Sequence, residues 1–518
     1  MYARWRSSIS FRGKVFARDK HEEVSPIRAS GILMHLSSVS SPYGIGTMGQ
    51  SAREFIDFLK KAGHKYWQIL PVGQTSYGDS PYQSFSSFAG NPYFIDLDML
   101  EEKGLLKKEE YATLDWGKES GRTDYGKLYE QRYPLLRLAV KRFLSTERPV
   151  FEEFCDEQRE WLDDYALFMT IKGMNGGASW LVWNEAERKR NPLKMEEIRA
   201  TQEEELLFWK TVQFFFYEQW EALRAYANAN GISVIGDLPI YVALDSADIW
   251  ANPQYFQLDE NLMPIQVAGC PPDGFAEGGQ LWGNPLFDWN ALEADGYSWC
   301  VKRIGHSCRI YNVLRLDHFR GFESYYAIPY GDPDARGGHW EQGPGNKLFR
   351  ALEARLGKQN IIAEDLGFLT EPVREMLKNS GFPGMKVFEL GFDSRDGNGS
   401  EYLPHNFIQN CVAYTGTHDN DTIQGWFCTA PTGDVEYACD YFGIKDRKEG
   451  HWDMMKGLWS TVADLTIVQA QDLLGLGSEG RMNQPSTFGN NWQWRALPGV
   501  FTTELADKLR SNMKLYAR

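Results

Sequence analysis

The 518 residues contain no paired cysteine motif, no long apolar run and no excess of positive charge, and each lack removes a class of protein. The seven cysteines (Cys155, Cys270, Cys300, Cys308, Cys411, Cys428 and Cys439) are odd in number and include no CxxC, which argues against a disulfide framework or a zinc knuckle. They point to a reducing compartment, the cytoplasm. No stretch approaches the roughly 18 apolar residues of a membrane span. A net charge of -15, from 55 basic against 70 acidic residues, argues against nucleic acid or an anionic membrane as partner, since both need a basic footprint. HxH and HExxH are absent, so no metal site declares itself, although His and Asp side chains elsewhere keep metal ligation as a competing reading. The first 30 residues carry Arg4, Arg6, Arg12, Lys14 and Arg18 without a seven-residue apolar stretch. They are not a secretory signal and are expected to form a poorly ordered extension.

What the chain does have is aromatic side chains: 14% of residues, with 18 Trp and 25 Tyr, many beside Gly, Asn, Asp and Pro. Core packing accounts for most of them, and the rest suit a polar ligand with apolar faces, such as a sugar. Read in order, GILMHL at Gly31–Leu36 predicts a first strand and Gln50–Ala62 a helix closed by Gly63. YWQILPV at Tyr66–Val72 predicts a second strand. The intervening glycines, Gly44, Gly46 and Gly49, resemble a phosphate loop only superficially, because no acidic partner follows a second strand at the required distance. The loop after the second strand, Tyr77–Asp98, holds Asp79, Tyr82, Gln83, Phe85 and Asn91 without one basic residue. Loops at that end of parallel strands are where sites are built.

Residues 100–230 turn helical and charged and are expected to be an inserted subdomain. The third strand, SVIGDLPIYV, carries Asp237. Residues 243–300 follow as an expected lid region, in which Gly269–Asn290 mixes stiffening prolines with glycines around Phe275 and Trp282. Further strands are expected at Val313–Leu316, Asn360–Gly367, Met385–Leu390, Cys411–Asp419 and Leu465–Ala470. Repeated strand and helix, with polar residues at strand ends, predicts an α/β (β/α)8 barrel with helical insertions, mainly after the second and third strands, spanning residues 31–518.

The stretch NVLRLDHFRG crowds Arg315, Asp317, His318 and Arg320 at one strand end. Two readings fit: a structural Asp–Arg ion pair, or an Asp kept anionic by Arg315 and used as a nucleophile. Glu364 ends another apolar run with no adjacent base, which suits a proton carrier, and Asp419 ends a third beside His418. Two carboxyl groups, one protonated and one anionic, are the minimum for breaking a glycosidic bond.

Six motifs in one order, SPYQSFSSFAGNPYFIDLD, GDLPIYV, PPDGFAEGGQLWGNPLFDW, LRLDHFRGF, IIAEDLG and GTHDND, resemble the 4-alpha-glucanotransferases of the amylomaltase or disproportionating-enzyme family from about Gly31 to Trp494. The resemblance implies a barrel related to the alpha-amylase clan and a retaining transfer of alpha-1,4-glucan segments among maltooligosaccharides, starch or glycogen fragments. By motif, Asp317 resembles the nucleophile, Glu364 the acid/base and Asp419 the stabilising carboxylate. Tyr82, Asp237, Arg315, His318 and His418 match the polar ring around the cleaved sugar, and Asp273, Trp282 and Asn284 the acceptor-side lid. The resemblance departs at Gly274, where some members carry an aromatic, and at Leu316, where Ile is common. No cofactor is expected. An alpha-amylase-type hydrolase and an inactive carbohydrate-binding barrel are the competing readings; the presence of all three carboxylates speaks against the second.

Overall fold

A computed structural model describes residues 28–518 except 77, 147, 273–276, 368, 393–398 and 488. The N-terminal extension up to residue 27, and Asp273, Gly274 and Phe275 of the expected lid, lie outside the described residues. Eight short strands form one parallel sheet: β1 (Ala29–Leu33), β2 (Tyr66–Gln68), β3 (Ser233–Leu238), β4 (Val313–Leu316), β5 (Ile361–Ala363), β6 (Gly384–Val387), β7 (Cys411–Tyr414) and β8 (Leu465–Gln469). Their order in space is β6-β7-β8-β1-β2-β3-β4-β5, so neighbours in sequence are neighbours in space and β1 lies beside β8. A hydrogen bond from Ala363 N to Pro383 O, 2.9 Å, crosses the remaining gap between β5 and β6. The architecture is the expected (β/α)8 barrel, nearly closed.

Every expected strand is present, and most are shorter than their apolar runs. Asn360–Gly367 reduces to Ile361–Ala363, and Cys411–Asp419 ends at Tyr414, because the chain leaves the ladder as soon as it reaches the mouth. The first helix matches residue for residue: Gln50–Ala62 ends where Gly63 takes a left-handed φ of 89° and donates back to the last turn. Its amino end does not offer a phosphate cradle. Thr47 Oγ1 donates to Asp96 Oδ2 at 2.6 Å, and a Cβ on Gly49 would meet that carboxylate, so an acid already occupies the position.

Between β2 and β3 run the helices Leu97–Glu102, Tyr125–Leu144, Pro149–Glu157, Arg159–Met174, Glu185–Arg188, Pro192–Thr201 and Glu203–Ala229. The last of these fixes the loop that carries Tyr82. Gln213 uses both ends of its amide on one residue of that loop, accepting from Gly90 N at 2.7 Å and donating to Gly90 O at 2.9 Å. Gln219 does the same with Asp96, at 2.6 and 3.1 Å. A buried amide satisfied at both ends rigidifies what it holds.

Part of the expected lid region is regular strand. Gln266–Cys270 and Gln280–Pro285 pair antiparallel and join Ser324–Pro329 and His339–Gln342 in a separate four-stranded sheet beside the mouth. Within the 269–290 stretch, the strand segments are therefore residues 269–270 and Gln280–Pro285. Its glycines and prolines mask the alternation that marks a hairpin, and a register shift between Val267 and Gly269 blurs it further.

Candidate active site

The floor of the site is a layer of polar side chains inside the barrel. Asp237 of β3 and Arg315 of β4 are partners in register, and alternation turns both inward. Arg315 Nη1 donates to Asp237 at 2.9 and 2.7 Å and to Asp317 Oδ1 at 2.8 Å, while its Nε reaches Met385 Sδ on β6 at 3.4 Å. Burial alone would lower the guanidinium's pKa, but the two carboxylates together hold it well above its ordinary value. Asp317 stands one residue past the end of β4, with its side chain 26% exposed and therefore open to a ligand.

Glu364, one residue past β5, meets the backbone of that same turn. His318 N donates to its Oε2 at 2.6 Å and Leu366 N to its Oε1 at 3.0 Å. Withdrawal from water, helped by the negative charge of Asp317 and opposed by Arg315, pushes Glu364 up to about 8. Adjacent carboxyl groups thus sit in unlike surroundings, one paired with a guanidinium and the other favoured as the acid. His318 holds a left-handed backbone, φ 49° and ψ 50°, which only a constrained turn makes a non-glycine residue adopt. Its imidazole, largely removed from water, is lowered to about 4 and is neutral at pH 7.

The third carboxylate comes from the turn after β7. Asp419 Oδ1 accepts from Asn483 Nδ2 at 2.6 Å, its carbonyl accepts from Arg481 at 2.6 Å, and His418 Nε2 lies 3.4 Å from Oδ2. Tyr82 ties the three regions together. Its hydroxyl donates to Asp237 Oδ2 at 2.7 Å and its ring stacks on His418 at 5.1 Å and 16°. Desolvation raises its pKa well above the usual value, and the charges of Asp237, Asp317 and Asp419 all act on it in the same sense. On the other side, the Trp282 ring meets His318 edge-on at 4.9 Å.

The structure therefore gathers Tyr82, Arg315, Asp317, His318, Glu364, His418, Asp419 and Trp282 at one mouth. Two expected ligand-binding residues are committed elsewhere. Asp237 has no exposed side-chain surface, and its oxygens are taken by Arg315 and Tyr82. Asn284 donates to Val242 O at 2.8 Å and accepts from Gln83 Nε2 at 3.0 Å, fastening the small sheet to the barrel loops. Sequence reasoning missed the loop after β8, which supplies Arg481, Asn483 and Trp492. Trp492 packs on Tyr82 at 5.8 Å and on His418 at 5.9 Å. Its only sequence signal was an aromatic and amide-rich run, QPSTFGNNWQW, which does not follow directly on a strand.

Compared with known families, residues 34–500 match one described as 4-alpha-glucanotransferase. This chain belongs to the 4-alpha-glucanotransferase family. The 4-alpha-glucanotransferase of Clostridium butyricum is 49% identical over 487 residues, 94% of this chain and 100% of that protein. The Thermus thermophilus 4-alpha-glucanotransferase is 45% identical, over 93% of this chain and 98% of its own. Among solved structures, the amylomaltase from Streptococcus agalactiae in complex with acarbose superposes with a TM-score of 0.92 at 40% identity, covering 95% of this chain and 99% of that one. Membership of the 4-alpha-glucanotransferase family makes the chain a glycosyl-transferring enzyme acting on alpha-1,4-glucans. No helix among the described residues is long and apolar enough to cross a membrane.

Proposed function

We propose that the chain cleaves a maltooligosaccharide or starch-derived alpha-1,4-glucan at this mouth and passes the severed segment to the 4-hydroxyl of glucose or another maltooligosaccharide, with retention at the anomeric carbon. The observation that carries the proposal is the pairing of Asp317, salt-bridged to Arg315, with a neighbouring Glu364 pushed up to about 8. A carboxylate paired with a guanidinium, beside a carboxyl group favoured as the acid, offers the division of labour that glycosidic cleavage needs. Asp317 attacks the anomeric carbon as Glu364 gives its proton to the departing oxygen, so that the carbon–oxygen bond to the leaving chain breaks and an ester to Asp317 forms. Glu364, now ionised, takes the proton of the incoming 4-hydroxyl, whose oxygen displaces Asp317. Asp419, oriented by Asn483, faces the sugar and favours the positive charge that builds on its ring.

Transfer outpaces hydrolysis when an acceptor sugar fills the site and water is kept out. Trp282 against His318 offers that acceptor an apolar face. The odd cysteine count also leads us to assign the reaction to the reducing cytoplasm. The test is to incubate the pure protein with maltotriose and resolve products over time. Glucose plus a ladder of longer maltooligosaccharides, at constant reducing ends, is the expected outcome. Shorter products alone, with rising reducing ends, would establish hydrolysis instead.

A further inference from the structure

The barrel has a seam, and a side chain closes it. β4 pairs with β5 and β6 with β7 in regular ladders, but β5 and β6 are the two ends of the sheet order, joined by the backbone bond from Ala363 to Pro383. The next link along that seam is supplied by the carboxylate of Asp365. Its Oδ1 accepts from Met385 N at 2.6 Å, where a strand carbonyl would sit in a continuous ladder. Asp365 is 4% exposed, and a Cβ on Gly384 would lie 2.6 Å from its oxygen, so the glycine is what admits the carboxylate. Burial raises its pKa, opposed by the Met385 N–H and the charge of Lys386.

Asp365 directly follows Glu364. On the β4 side Glu364 is anchored by its N–H to Leu316 O at 3.0 Å and by Phe319 N to its carbonyl at 2.9 Å. On the β6 side the adjacent anchor is Asp365. The residue it grips, Met385, carries the sulfur that meets Arg315. One buried carboxylate thus holds the proton-carrying strand and the wall behind the guanidinium in a single register.

We propose that Asp365 is a positioning residue: by closing the β5–β6 seam it sets the Glu364 carboxyl against the glycosidic oxygen. The proposal rests on the role given to Glu364 above. A displacement of 1 Å at a catalytic group costs about 100-fold in rate.

The experiment compares two reactions on the same enzyme. Transfer from maltotriose needs a proton delivered to the leaving oxygen and another removed from the acceptor. Azidolysis of alpha-maltosyl fluoride needs neither: the C–F bond breaks as Asp317 bonds to carbon, and azide then displaces Asp317. Asp365→Ala is expected to lower maltotriose transfer about 100-fold while azidolysis changes less than about threefold. Asp365→Asn, which keeps an oxygen for Met385 N, should recover most of the loss. If Asp365→Ala does not fold, Gly384→Ala displaces the same carboxylate and should show the same split. Equal loss of both reactions in the soluble variants, or no loss of transfer, overturns the proposal. Glu364→Gln serves as the reference. If it loses azidolysis too, the role of Glu364 itself is wrong, and that failure is distinct from a failure confined to the Asp365 variants.

Discussion

Replacing Glu364 with Gln should change the pH dependence of stability in a way that can be worked out beforehand. A carboxyl whose folded pKa lies above its unfolded value binds more protons in the native state between those two pKa values, so its contribution to stability is present below the lower one and is lost as pH rises toward the upper. For Glu364 the window runs from 4.5 to about 8. At 1.36 kcal/mol per pH unit, the loss across it is on the order of 5 kcal/mol. Gln cannot ionise and escapes that loss. It also cannot offer two oxygens to the N–H groups of His318 and Leu366, and one unmade buried hydrogen bond costs about 1 kcal/mol at every pH. The variant should therefore be slightly less stable than the parent at pH 5 and more stable by several kcal/mol at pH 9, with the two curves crossing between. With an unfolding entropy of about 2.1 cal/mol/K per residue, a chain of 518 residues has roughly 1 kcal/mol/K, so the reversal amounts to a Tm difference of about 4 °C. Thermal melts of both proteins from pH 5 to pH 9 are the assay. Parallel Tm curves would refute the raised pKa and, with it, the assignment of Glu364 as the resident acid.

Asp317→Asn should abolish both transfer and azidolysis by about 10⁴-fold or more, since no bypass of proton transfer restores a missing nucleophile; steady-state rates with maltotriose and alpha-maltosyl fluoride check it. Asp237→Ala removes two of the three carboxylate bonds to the buried Arg315, leaving only Asp317, and also the acceptor of Tyr82, and should cost about 3 kcal/mol in urea unfolding. Trp282→Ala should raise the acceptor KM and increase the share of hydrolysis, measured as reducing ends formed per glucose released. Far from the mouth, the Arg518 side chain donates to the carbonyls of Trp459, Thr461 and Ala463 at 3.0, 2.9 and 2.7 Å, so Arg518→Ala should lower Tm by about 1–3 °C with kcat/KM unchanged.

The barrel was legible because each of its strands is an apolar run that ends in polar residues, and a buried parallel strand has to look like that. Strand ends were less so: the expected runs extend to Gly367 and Asp419, whereas the regular ladders end at Ala363 and Tyr414, with single further bonds from Glu364 N to Leu316 O and from Thr415 N to Ile467 O. The four-stranded sheet was hidden, since a segment such as QVAGC has too little alternation to announce pairing with residues 60 positions on. At the site, residue type told which groups could meet, but not which were already satisfied. Asp237 and Tyr82 stand in motifs that look alike from outside, yet the first is covered by the second. Asn483 and Trp492 illustrate the converse: they reach the mouth from a loop set apart from the end of β8 by the helical turns Ala470–Leu473 and Ser478–Gly480.

The pairing of β1 with β8 reaches beyond geometry to how the chain is made. Thr466 Oγ1 lies 3.5 Å from Ala29 O across 437 positions, and five residue pairs zip the two strands together. On a ribosome adding about 5–20 residues each second, the first strand waits roughly 20–90 s for its last neighbour. During that interval the growing sheet has two open edges, and open parallel edges invite pairing with other chains. A chain ending before residue 465 would leave the β1 edge without the neighbour that closes it.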